Sequence, residues 1–280
     1  MSVFASAAQP DLAEAVAAAE LIRERRKREN DLEITRGEAE ALLALDRMQP
    51  ESASTWREFV VDAIADYLVA EEPAGVLSDE QAAWLMECTA PNGRVESAVA
   101  FEIVVRCLEG ASEAPSLLSA FAIRQMQTAI IRGEGPMLGE CGHFSRTVSA
   151  CDAAQLHRIL VAAGGSDGRP VSRTEADALF DLHDATARAQ NDTAFNDLFY
   201  RAIANYTLAA SGHALEPRKE ALSPEHVLSA RQRPSEEQAA WLSERIMRDG
   251  QPTLAEFELL LLIGTEPLKT DTSLQRLLAI

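Results

Sequence analysis

Apolar residues recur along this chain at the three- and four-residue spacing of amphipathic helices. Trp56, Phe59, Val60, Ala63, Ile64, Tyr67 and Leu68 form one stripe over three turns, and Phe195, Leu198, Phe199, Ala202, Ile203 and Tyr206 form a second of the same design. Alternating β-branched runs ended by hairpin turns are nearly absent, and helical patterns flank Asn92-Gly93 on both sides. The expected fold class is all-α.

Helix starts are marked by a Ser or Thr followed three residues later by Glu or Gln. In this arrangement each side chain satisfies a free backbone N–H of the first turn. The pairs are Thr35/Glu38, Thr55/Glu58, Ser78/Gln81, Ser172/Glu175, Ser235/Gln238 and Thr253/Glu256, each opening an apolar-periodic run.

The chain also repeats itself. SDEQAAW from Ser78 returns as SEEQAAW from Ser235, an offset of 157 positions, and ITRGEAEALLAL from Ile34 aligns with VSRTEADALFDL from Val171 at an offset of 137. Between them AIADY and AIANY align at an offset of 139, which leaves an insertion of 18 residues in the second copy. The expected architecture is two homologous helical lobes from an internal duplication. Residues 1–136 form the first and 137–280 the second, which carries the insertion near 209–234. Gly133 to Ser145 reads as the linker, because its Gly and Pro residues break a helix. Trp84 and Trp241 hold twin positions and are expected to anchor the core of each copy.

Several helix junctions place a Gly after Asn or Asp and before a new helix: PNGRVES at Gly93, SDGRPVSRTE at Gly168 and RDGQPTLAE at Gly250. These stretches resemble the half-loop of an EF-hand, which implies helix-loop-helix pairs. Calcium binding in that family needs oxygen ligands at loop positions 1, 3, 5 and 12 with Gly at 6. The Gly250 loop alone offers a final carboxylate, Glu256, with Asp249 at position 5, but Arg245 stands at position 1. If the loops are EF-hand-like they have lost the ion, with Asp249 and Glu256 left as a residual divalent-cation pair.

Composition changes the picture in one respect. With 26 Lys+Arg against 44 Asp+Glu the formal net charge is −18. A chain so acidic repels a polyanion, which argues against nucleic-acid binding. No apolar run is long enough to span a bilayer, and no signal-peptide pattern opens the sequence. Four cysteines are too few for a disulfide framework in a chain of 280 residues. The expected setting is a reducing cytoplasm, away from membranes. The one concentrated basic run, Arg23, Arg25, Arg26, Lys27 and Arg28, suits a helix C-terminus and is also a candidate contact for an acidic protein surface.

Candidate chemistry is sparse. Cys141, His143, Cys151 and His157 lie close together in a spacing that matches no standard zinc knuckle. His183-Asp184 on a helix, with His157 upstream and Asp197 downstream, resembles the ligand set of metal-dependent phosphohydrolases of the HD type. No nucleophile elbow, P-loop, dinucleotide-binding glycine set, HExxH or CxxC occurs, and no cofactor is expected. The favoured expectation is a non-catalytic interaction or scaffold protein that engages a protein partner or a second copy of itself. An HD-like hydrolase using His157, His183 and Asp184 is the alternative, and a residual divalent-cation binder is a third.

Overall fold

The computed structural model describes residues 34–48, 54–70, 73–133, 146–226 and 233–248, together with positions 16, 19, 20, 22, 24, 253, 255, 256, 259 and 260. Ten helices have described bounds: α1 Arg36–Met48, α2 Ser54–Ala70, α3 Asp79–Thr89, α4 Ala98–Gly110, α5 Ser116–Arg132, α6 Ala150–Ala162, α7 Arg173–Thr186, α8 Thr193–Ala210, the single turn α9 Arg218–Ala221, and α10 Glu236–Ile246. Among the described residues no strand forms, and Val76 and Glu113 meet in one isolated bridge. The fold is all-α, and no described helix is long and apolar enough to cross a membrane.

The helix starts follow the chemistry of their first turns. Ser78 and Gln81 cap α3 reciprocally, as do Ser172 and Glu175 on α7. α6 uses Ser149 with Asp152, the shorter carboxylate reaching the same N–H. Thr55 behaves differently from its expected role: it lies inside α2, which already runs from Ser54.

α2 packs along α4 and α5 along α7, while α6 contacts α4, α5 and α8. Apolar burial is continuous through these contacts, with Leu42, Ile64, Leu85, Ile103 and Ile123 fully buried in the first half and Phe180, Phe195 and Phe199 in the second. Polar ties accompany the packing between the halves. Arg158 on α6 grips Glu102 and Glu109 on α4 at 2.6–2.8 Å, and Gln127 on α5 donates to the Asp181 carbonyl on α7 at 3.0 Å.

Two aromatic clusters have the same composition. In one, Tyr67 meets Trp84 edge-on at 6.2 Å and the Arg36 guanidinium lies 5.4 Å over the indole. In the other, Tyr206 meets Trp241 edge-on at 4.9 Å and Arg173 lies 4.6 Å over it. Each arginine also pairs with the acid four residues on, Arg36 with Glu40 at 3.3 Å and Arg173 with Asp177 at 3.1 Å. Both tryptophans are buried, where edge contacts and a cation over the ring add to the area removed from water.

Candidate functional site

The last turns of α7 carry Leu182, His183 and Asp184, and the helix's apolar face sets the direction of His183. The imidazole stacks flat on Phe199 of α8, with centroids 4.1 Å apart, and is buried beside Phe195. The capping pair Thr253/Glu256 approaches from the C-terminal side. The Glu256 carboxylate accepts from the Thr253 N–H at 2.7 Å and from its hydroxyl at 2.9 Å. That hydroxyl lies 3.2 Å from His183 Nε2, and Glu256 Oε1 lies 3.9 Å from Nδ1. Ligand-type atoms of His183, Asp184 and Glu256 all fall within 4.8 Å of one another, the only such group among the described residues.

The Thr253 hydroxyl thus bridges the Glu256 carboxylate and the His183 imidazole. Arg245 and Arg248 lie 4.0 and 3.8 Å from the Asp184 carboxylate and donate to Asp181 at 2.9 Å.

A contact of similar kind occurs in the first half of the chain with different side chains. Asp46 lies 137 positions before His183, and it accepts a hydrogen bond from the hydroxyl of Ser97, which caps α4. Burial pushes the Asp46 carboxyl above its usual value, and the Ser97 hydrogen bond works against that rise. In each half, then, a side chain near the end of the EAE or EAD helix reaches the hydroxyl that opens a later helix.

The other expected site residues lie apart from this group. His157 on α6 is half-buried, hydrogen-bonded to the Leu222 backbone, and burial lowers its pKa. Asp197 is bound to Arg201 at 2.8 Å and to the Tyr200 hydroxyl. Asp249, the basic run Arg23, Arg25, Arg26, Lys27 and Arg28, and Cys141 with His143 lie outside the described residues. Cys151 is disulfide-bonded and exposed, whereas Cys88 and Cys107 are free. Burial pushes the Cys107 thiol up to about 12 and the Cys88 thiol up to about 11, which removes the thiolate a nucleophile or soft ligand requires.

Of the three glycine loops, those at Gly93 and Gly168 are described, and the one at Gly250 lies outside the described residues. Gly93 and Gly168 adopt left-handed conformations, at φ +73° and +61°. The 163–170 loop closes on Arg218, a residue of the insertion. Its guanidinium donates to the carbonyls of Leu160 and Arg169 at 2.9 and 2.7 Å and to that of Pro170. It also pairs with both oxygens of Glu175 at 2.9 and 3.0 Å. A cationic side chain thus occupies a cage of three carbonyls and one carboxylate beside the Gly168 turn. No sequence pattern marks Arg218, because its partners lie between 43 and 58 positions away.

Beside this cage a cleft of about 540 Å³ opens between the halves, lined by Ser78, Glu113, Pro115, Arg169, Ser172 and Arg218 among others. α3, α5 and α7 all begin there, and α5 starts at Pro115 without a side-chain cap. Leu117, next to Ser116 of the cleft wall, is an exposed large apolar side chain. No family model, no curated protein and no solved structure matches this chain.

Proposed function

We propose that this chain is a non-catalytic helical interaction protein, built from two lobes that arose by duplication of one helical unit and that offer their surfaces to a protein partner. The observation that carries the reading is the pair of Arg–Trp–Tyr clusters. Arg36, Tyr67 and Trp84 recur as Arg173, Tyr206 and Trp241 at sequence offsets of 137, 139 and 157, with the same edge-on ring and the same cation above the indole. The Asp46–Ser97 and His183–Thr253 contacts are alike in kind, with Ser97 and Thr253 one position out of the 157 register. The proposed lobe boundary lies near residues 136–137, and the glycine turns belong to EF-hand-like helix-loop-helix pairs that do without calcium.

Two of the candidate catalytic residues are engaged structurally, Asp197 by Arg201 one turn along α8 and His157 by the Leu222 backbone. The charge of −18 favours a partner with a basic face, and the inter-lobe cleft with exposed Leu117 is the proposed contact region. The proposed setting is the cytoplasm. Reduction of the disulfide there would leave the core intact, because Cys151 is exposed on the first turn of α6.

The test is affinity purification of the tagged full chain with light scattering of the eluted species. A stoichiometric protein partner, reduced at least tenfold in yield by Leu117→Asp or Arg169→Glu, is the expected result. A chain that stays alone and monomeric, and hydrolyses phosphoesters in a manner lost on His183→Gln, would overturn the reading in favour of an HD-like enzyme.

A further inference from the structure

From the contrast between the two Arg–Trp–Tyr clusters we infer a carboxylate-binding site in the second, with the Trp241 indole N–H and the Arg173 guanidinium as its donors. The inference stands apart from the interaction reading above.

The first cluster shows the complete arrangement. Glu40 Oε1 accepts from Trp84 Nε1 at 3.0 Å and from Arg36 Nε at 3.3 Å. One carboxylate oxygen thus joins the edge of the indole to the cation above its ring. The second cluster repeats the tryptophan, the tyrosine and the arginine, but Asp177 stands where the offset of 137 aligns Glu40. Its side chain is one methylene shorter, and two cations hold it. Arg173 Nε donates to Oδ2 at 3.1 Å, and Arg245 lies 4.0 Å from Oδ1. At the offset of 157 Arg245 aligns with Cys88, which carries no such charge.

Trp241 Nε1 is therefore buried without an acceptor among the described residues, in a residue only 6% exposed. A buried N–H in that state carries the full cost of its desolvation, and buried polar groups in folded proteins nearly all find a partner. The chemistry beside it selects an anionic acceptor. Arg173 lies 4.6 Å over the ring, and its Nε and Nη1 donate to Asp177 and to the Tyr206 hydroxyl, which leaves Nη2 for a ligand. A carboxylate bonded to both groups would reproduce what Glu40 does in the first cluster, and charge-assisted bonds of this kind are roughly twice as strong as neutral ones.

The site lies close to the surface. Glu40, which fills the role from within, is 35% exposed, and Asp177 is 33% exposed. The Arg173 side chain covering the ring is 51% exposed, so it can swing outward on its flexible stem and admit a carboxylate without moving a helix. A free carboxylate and the acidic side chain of a partner share this chemistry.

The test is titration of the nitrogen-15-labelled full chain with acetate and with an amidated Ala-Glu-Ala tripeptide, against chloride at matched ionic strength. The indole N–H resonances of the three tryptophans are the readout, and that of Trp241 is assigned by its through-space contact with the Tyr206 ring. The expected result is a saturable shift of the Trp241 resonance at millimolar acetate, with Trp84 unmoved because Glu40 already accepts from it. A shift with acetate alone identifies a free carboxylate as the ligand, and a shift with both identifies an acidic side chain. Asp177→Glu supplies the acceptor from within and is expected to abolish the acetate shift. Arg173→Gln should weaken acetate at least tenfold. Absence of a saturable shift at Trp241 would overturn the inference. So would an undiminished acetate shift in Asp177→Glu, or an equal response of Trp84.

Discussion

Arg218 and Glu175 form an ion pair that is almost entirely withdrawn from solvent, 2.9 Å apart with side chains 3% and 1% exposed. Ser119 of α5 donates to the same Glu175 oxygen at 2.7 Å. One carboxylate therefore joins the insertion, the cap of α7 and the first half of the chain.

Removing one member of such a pair leaves the other charge buried without compensation, at a cost of about 3–5 kcal/mol. Arg218→Ala is expected to destabilise the chain by that amount in urea unfolding. Arg218→Lys should recover only part of it, because an ammonium cannot reach three carbonyls and both carboxylate oxygens together. Replacing both residues, as Arg218→Met with Glu175→Leu, should cost less than Arg218→Ala alone. A loss below about 1 kcal/mol in Arg218→Ala would mean that the cage relaxes around water.

Gly165 sets a second limit on how the halves meet. It sits at φ +63°, and a Cβ there would come 2.1 Å from the Ser112 carbonyl oxygen, which already accepts from the Ser166 N–H at 3.1 Å. Gly93 has a similar φ with nothing near its Cβ position. Gly93→Ala is expected to cost about 1–2 kcal/mol, the price of the left-handed backbone. Gly165→Ala adds a backbone clash of the kind that costs about 1–3 kcal/mol more. Equal urea midpoints for the two variants would show that the Ser112 segment moves aside freely.

Much of this architecture was readable in advance because it depends on local chemistry. The caps at Ser78, Ser172 and Thr253 need only residues three apart, and the stripes through Trp56 and Phe195 need only helical spacing. The resemblance of Gly168 to an EF-hand half-loop was also local, and it carried no sign of the Arg218 guanidinium that packs beside that turn. What the spacing could not reveal was how distant segments combine. His183 and Glu256 were separate candidates, one for a hydrolase and one for a residual cation pair. They meet because α7 and the Thr253 turn pack together 70 positions apart. Thr253 was legible as a cap, but its second contact, with the imidazole, was not.

Acid should act on the first half in two opposing ways. Hydrogen bonds from Arg158, with its positive charge, hold the Glu109 carboxyl below the usual value of 4.5. A depressed folded pKa stabilises the fold above the unfolded value, and the gain is lost as pH falls through the folded one. Glu109→Gln is thus expected to lower the urea midpoint at pH 7 while bringing little change once the wild-type carboxyl is protonated below pH 4.5. An unchanged midpoint at pH 7 would make the Arg158 contacts to Glu109 a solvated pair of no consequence.

Asp46 carries the opposite sign. Burial raises its folded pKa above 3.8, so the charged form is penalised in the fold and the penalty disappears as pH falls through the raised value. Asp46→Asn removes the charge but keeps an oxygen to accept from the Ser97 hydroxyl, which also caps α4 through the Ala100 N–H at 2.9 Å. The variant is expected to match or exceed the wild type in urea at pH 7 and to lose that advantage toward pH 4. Asp46→Ala serves as the contrast, because it leaves the Ser97 hydroxyl without its acceptor and should be destabilised by about 1–3 kcal/mol throughout. If Asp46→Asn falls as far as Asp46→Ala at pH 7, the negative charge itself holds α1 to α4, and the coulombic pull of Arg47 and Arg57 outweighs the cost of burial.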